Sequence, residues 1–381
     1  MPDQSDDTVE HIGGFEMQGM MMRYSLFVPR LYNWCKSLGF ELGKIMPSRA
    51  FCSDESQGYP IILLAKHFGT FPFNHGRVGG IVAADRNGPH ADHGQDLVII
   101  QASHVGYDPD SKQFGIYRRL QTEGLRCGPS CGKIHHVLDW YLEEYNFAKQ
   151  NIFLHRYEGK ACIIIDNQLL HGDRDEGLLL NLRKLLSTDS DGQCVQLKRL
   201  STSKVFSASE SIVKKFGIKA FNSTAPTAIG DKLSAELFFF RRDISVMDEG
   251  GHHLERNLIR YMPQIITDSK PMLIAAQITS QIEFDHTFRS IVRDNSYQGK
   301  RVLFVSGLHI DISPEKGQLF PLTKFVPWAA YLQEKDGSYK TIEQAALLDE
   351  LNAQSTDNPD QIDLEQAIQI MAEVKEVKVE L

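Results

Sequence analysis

This chain of 381 residues is first narrowed by what it lacks. No apolar run approaches the ~18 residues that a membrane-spanning helix needs, so no membrane partner is expected. The opening stretch, Met1-Pro2-Asp3-Gln4-Ser5-Asp6-Asp7, is acidic and has no basic segment leading into an apolar one. It reads as neither a secretory signal nor a transit peptide, and the expected compartment is cytoplasmic. A basic stripe is also missing. The net charge is −8, and residues 341–381 account for all of it, with ten acidic side chains against Lys375 and Lys378. The body is therefore near neutral, and nucleic acid is not an expected partner. No G-x-G-x-x-G follows a strand, which argues against a dinucleotide enzyme. Finally, no cysteine follows Cys194; the six are Cys35, Cys52, Cys127, Cys131, Cys162 and Cys194.

Hydrophobic content of 42% and charged content of 24% are ordinary for a globular protein, and the length allows one large or two ordinary domains. A cytosolic chain of this size needs no disulfide framework, so clustered cysteines read as metal ligands or buried thiols. Pro29 opens a helical pattern (Leu31, Trp34, Cys35, Leu38) that Gly39 closes. A strand ends at Ala50-Phe51-Cys52, and Pro60–Ala65 is a compact apolar run. Leu97–Ile100 reads as a strand buried on both faces and ending at Ser103-His104. Helical spacing over 133–148 is followed by strand candidates at 152–154 and 161–165. Alternating strands and helices predict an α/β fold with parallel segments.

Two stretches repeat. Pro60–His75 aligns without gaps onto Pro271–His286, and Leu97–Asp110 onto Val302–Glu315 at an offset of 205 residues, which sets His104 over His309. This reads as a tandem duplication whose second copy has lost every cysteine. The expected domains are 15–215, carrying a metal site, 216–345, a degenerate second copy packed as an internal pseudo-dimer, and 346–381, an acidic tail with a solvated face.

Cys52, His104 and one of Cys127 and Cys131 fall at successive strand or loop ends. Taken singly each is bland: a buried small hydrophobe, a structural histidine, a turn. Together they form a Cys2His set that suits zinc, and three protein ligands leave a fourth position, for water or for Asp54. The Cys-x3-Cys spacing, with no His-x-Glu before it, does not fit a zinc nucleobase deaminase. Gly76-Arg77-Val78-Gly79-Gly80 reads as a tight turn before an anion cradle. His75 and His286 share a repeat position and read as structural, while Phe71 and Phe73 can line a small apolar pocket. His90, His93, His135, His136, His252 and His253 lack partners at ligand spacing.

Four blocks carry a resemblance. Ser48-Arg49-Ala50-Phe51-Cys52-Ser53-Asp54-Glu55 resembles the Cys-Arg-Asp-Glu block of the limiting-CO2-inducible B/C family of β-type carbonic anhydrase-like proteins. Phe73–Gly80 is similar to its Phe-plus-glycine segment, Ser103–Asp108 to its Pro-His-Val-Gly-Ile-Asp strand end, and Ser130-Cys131-Gly132 to its Ala-Cys-Gly turn. The resemblance covers roughly residues 15–150. It implies a β-carbonic-anhydrase-like sheet flanked by helices, and zinc held by Cys52, His104 and Cys131, with Cys127 as the alternative third ligand. It also implies reversible hydration of CO2 to bicarbonate through zinc-bound hydroxide, with Asp54 and Arg77 as catalytic residues and residues of a second copy or subunit completing the pocket. One position departs from the pattern. The family pairs its Asp with an arginine that is Ser53 here, so Arg77 or Arg49 would have to compensate. The alternative is a non-catalytic zinc protein that binds a partner or senses bicarbonate.

Overall fold

The computed structural model describes residues 14–82, 96–118, 126–170, 176–243, 249–315, 318 and 320–375; His90, His93, Glu376, Lys378 and Glu380 lie outside them. The chain forms two compact units, Met1–Lys133 with Ala275–Leu381, and Ile134–Ile274. The first unit is discontinuous and draws on the stretches read as first copy, second copy and tail.

Helix α1 (Tyr24–Ser37) contains Pro29 in its body, not at its start. Proline forfeits one backbone bond, but Tyr24 and Phe27 before it and Leu31 and Trp34 after it are buried on one core, so the apolar face carries the helix through. Strand β1 (Ile45–Ala50) follows, then α2 (Gly58–Phe68), in which Pro60 occupies the tolerant first turn. A short β2 (Phe73–Asn74) precedes β3 (Asp96–Asp108), whose length puts His104 inside the strand and not at its end. The small strands β4 (Ile116–Arg118) and β5 (Cys127–Pro129) pair antiparallel and lead into α3 (Gly132–Gln150). The chain returns to the first unit within α4 (Pro271–Arg293). It continues as β6 (Val302–Ile312), β7 (Leu322–Gln333), β8 (Tyr339–Ile342), α5 (Gln344–Asn352) and α6 (Leu364–Glu373).

One mixed sheet organises this unit. Its order is Met22–Arg23, β7, β6, β3, β1, β2, with β8 beside β7. β2, β1, β3 and β6 run parallel, whereas β7 is antiparallel to its neighbours. Helices cover both faces, which is why β3 is buried along its length and reads as a continuous apolar run. Val98, Ile100, Leu303 and Val305 pack against α1, α2 and α5, while Leu97, Ile99, Val302 and Phe304 meet Phe284 and Ile291 of α4. Full burial of each such side chain contributes roughly 1.5–3 kcal/mol.

β3 and β6 pair with Leu97 opposite Val302 and His104 opposite His309, the same 205-residue offset that the sequence shows. The other repeated stretch holds less well. After Phe68 the first copy leaves the helix for a turn and β2, while 271–286 stays helical.

The second unit has a five-stranded sheet, and Ile152–Tyr157 and Lys160–Asp166 form an antiparallel hairpin in it. Glu158 and Gly159 take φ of 48° and 79°, the left-handed pair that a two-residue hairpin turn requires. Among the described residues no helix is long and apolar enough to cross a membrane.

Candidate metal centre

Two turns and a strand of the first unit converge. Cys52 lies two residues beyond β1, His104 lies within β3, and Cys131 sits between β5 and α3. All three are buried, and one ligand atom from each falls within 4.8 Å of the others. Cys127, the alternative third ligand, is exposed instead.

Each side chain is held by its local backbone. Gly79 takes φ 79°, and this turns its N–H onto Cys52 Sγ at 3.3 Å. Gly80, at φ 80°, lies so close to β3 that a Cβ would stand 2.3 Å from the Ala102 carbonyl oxygen. Ser103 Oγ donates to Gly79 O and Gln101 Nε2 to Gly80 O, which ties the turn to β3. The glycine-rich stretch thus serves the thiol. Cys131 has φ 53°, a left-handed conformation that costs a non-glycine residue on the order of 1 kcal/mol or more and persists only where surroundings enforce it. His104 Nδ1 donates to Asp311 Oδ2 at 2.9 Å, and its Nε2 is buried without a hydrogen-bond partner.

The thiols and the imidazole shift one another. A hydrogen bond from Cys131 is the main force holding Cys52 down at about 4, against the opposing pull of burial. Cys131 is correspondingly pushed up, first by Cys52 and then by burial. Burial disfavours a charged His104, but negative charge at Cys131 and the bond to Asp311 outweigh it and raise its pKa. A ready thiolate at Cys52 suits a soft cation, which would displace the protons that Cys131 and His104 hold in the metal-free site. Two sulfurs, an imidazole nitrogen and full burial fit zinc's donor preferences.

Asp54 caps the short turn Glu55–Gln57 by accepting from Ser56 N at 3.1 Å. The Tyr117 hydroxyl, brought by β4, lies 3.2 Å from Asp54 Oδ1 and 2.9 Å from Glu55 Oε1. Ser53 and Arg77 are exposed. Arg49 is half-buried near Tyr24 and His75, and its pKa is lowered by burial. His75 is buried against Ser48 Oγ, in keeping with a structural role, whereas Phe71 is 72% exposed. Tyr117 and Asp311 were not singled out by the sequence, and Gly79 was read only as part of a turn. The one available signal was Asp311 itself, an acid inside the buried run Val302–Ile312.

No protein-family model and no curated protein matches the sequence. Among solved structures, the chain is similar to that of PtLCIB4, a homolog of the limiting CO2-inducible protein LCIB, with a TM-score of 0.50 and 11% identity over 88% of this chain and 98% of that one. The chain has the fold of PtLCIB4. The structure of LCIB itself aligns at a TM-score of 0.45 and 11% identity, over 90% of this chain and 100% of that one. The PtLCIB4 likeness spans both units and agrees in fold with the family resemblance read from residues 15–150.

Proposed function

We propose that this chain is a member of the limiting-CO2-inducible B/C family that holds zinc with Cys52, His104 and Cys131 and hydrates CO2 reversibly to bicarbonate. The observation that carries the reading is the convergence of three buried soft-metal donors, one of them an imidazole nitrogen with no other partner. When bound, zinc supplies Lewis acidity and a nucleophilic oxygen at neutral pH. The chain's residues do the rest. Gly79 N–H steadies Cys52, and Tyr117 and Ser56 N hold the Asp54 carboxylate on the turn two residues from Cys52. In this reading Asp54 orients the attacking water by accepting its hydrogen bond, and its tether to Tyr117 keeps it from becoming a further ligand. We also read the paired β3 and β6 as the trace of a duplication, supported by their shared register at the two histidines.

The test is metal analysis of the purified chain together with a stopped-flow CO2-hydration assay, on the wild type and on Cys52→Ser. The expected result is one zinc per chain and activity in the wild type, both lost in the variant. Activity that survives Cys52→Ser would overturn the site. The exposed Ser53, at the family's arginine position, favours a second reading as a non-catalytic bicarbonate-sensing or partner-binding zinc protein. Zinc bound without activity is its signature.

A further inference from the structure

We propose that Asp311 is the positioning residue of the metal centre, so that β6, in the stretch of the chain that holds no cysteine, decides which nitrogen of His104 faces the cation. This rests on the reading of Cys52, His104 and Cys131 as metal ligands.

A neutral imidazole carries its proton on one nitrogen, and the partner of that nitrogen selects which. His104 Nδ1 lies 2.9 Å from Asp311 Oδ2, and both side chains are fully buried. A carboxylate only accepts, so Nδ1 keeps its proton whether the ring is charged or neutral, and Nε2 is the nitrogen left to exchange its proton for a cation. The other tautomer would set a proton where the metal must bind and oppose two lone pairs at the Asp311 contact.

Asp311 is in turn fixed from several sides. Its Oδ2 accepts from Ser56 Oγ at 2.9 Å and from Gln57 Nε2 at 3.0 Å, and its Oδ1 accepts from Thr323 Oγ1 at 3.0 Å. Gln57 donates to Asp311 only if its amide points that way, and the carboxylate, which can only accept, settles the direction. Gln57 Nε2 also donates to Ser56 Oγ, so Oε1 must accept, and His309 Nδ1 stands 2.5 Å from it. His309 therefore carries its proton on Nδ1. Its ring packs edge-on to Tyr24 and Phe51, with centroids 5.0 and 4.7 Å away. The histidine kept at the register position of His104 thus holds an amide and does not bind metal. Ser56 and Gln57 belong to the turn that follows Cys52, so a single stretch delivers a ligand and two donors to the residue that orients another. Carboxylates that orient a metal-bound histidine typically account for roughly 10–100-fold in metal affinity.

The experiment uses the full chain. Zinc affinity by chelator competition and the cobalt(II) absorption spectrum are compared for wild type, Asp311→Asn and Asp311→Ala, and the His104 tautomer is read from nitrogen-15 NMR of the zinc-loaded wild type. The expected outcome is a roughly 10–100-fold loss of affinity, an altered cobalt spectrum in both variants, and a proton on His104 Nδ1 in the wild type. Variants that bind zinc as tightly as wild type with the same spectrum would overturn the proposal and leave the metal site standing. A proton found on Nε2 would do the same. If the variants do not fold, the wild-type tautomer decides alone. A wild type that takes up no zinc would instead overturn the underlying reading of the ligands.

Discussion

Tyr117 shows how the site is made from residues that have no motif. Its ring is buried, and its hydroxyl spans Asp54 and Glu55, so it closes the turn that carries Cys52 from the far side of the β4–β5 hairpin. Tyr117→Phe removes that hydroxyl and almost nothing else. The expected cost is about 1 kcal/mol in urea unfolding, typical of a hydrogen bond lost with its partners able to relax. With zinc content unchanged, CO2 hydration should fall as Asp54 loses that contact; equal rates in the variant would remove the Tyr117 hydroxyl from the proposed chemistry. The converging donors were legible because Cys and His are rare and chemically marked. Tyr117, Gly79 and Asp311 were not, because a tyrosine in a short strand, a glycine N–H and an acid on a neighbouring strand acquire meaning only once the sheet sets them beside Cys52 and His104.

Helices and strands were legible where apolar period and burial agree, and misread where tertiary packing overrode a local signal. Leu97–Ile100 announced a buried strand, yet β3 runs on through the polar Gln101, Ser103 and His104 because the centre itself satisfies them. Pro29 looked like a helix start, and the shared core of α1 kept it inside. The C-terminal segment is the largest difference. Composition makes 346–381 an acidic tail, but its first part is docked. Leu347 and Leu351 of α5 are fully buried, Asn358 Nδ2 contacts His67 Nδ1 at 3.1 Å, and Ile362 N donates to Lys66 O. Beyond it, α6 leaves Ile368 68% exposed. The two helices should therefore answer differently to truncation of a single side chain. Leu351→Ala opens a cavity and should cost about 2–5 kcal/mol, whereas Ile368→Ala should stay within about 0.5 kcal/mol. Denaturant midpoints at unchanged slope measure both, and equal effects would mean that α5 is not part of the core.

At the scale of the whole first unit, three histidines make folding sensitive to acid. Burial pushes His67 down to about 4 and His75 and His309 down to about 3, with Lys66 and Arg49 adding to the first two and His104 opposing the charge on the third. Each is neutral in the folded chain, whereas an unfolded histidine takes up a proton near 6.5. The sign follows from the proton count. Above about pH 6.5 neither state is protonated at these positions and their contribution is complete. As pH falls the unfolded chain binds protons that the folded one refuses, and stability declines until the folded values are reached. His104 is shifted the other way and acts mainly above that range. The interval from pH 6 to 5 also lies above the ordinary carboxylate values, so it reports these three together with His286, which burial lowers too, and the Cys52 thiol, whose depressed value adds a slope of the same sign. Each of the three should cost about 1 kcal/mol over that unit of pH. Thermal unfolding should thus move to lower temperature between pH 6 and 5, and His67→Gln should remove its own share of the slope, about 1 kcal/mol over that unit of pH. A flat profile over that interval would show that these histidines are protonated in the folded chain, and that the packing drawn around Asn358, Ser48 and Gln57 is not what holds them.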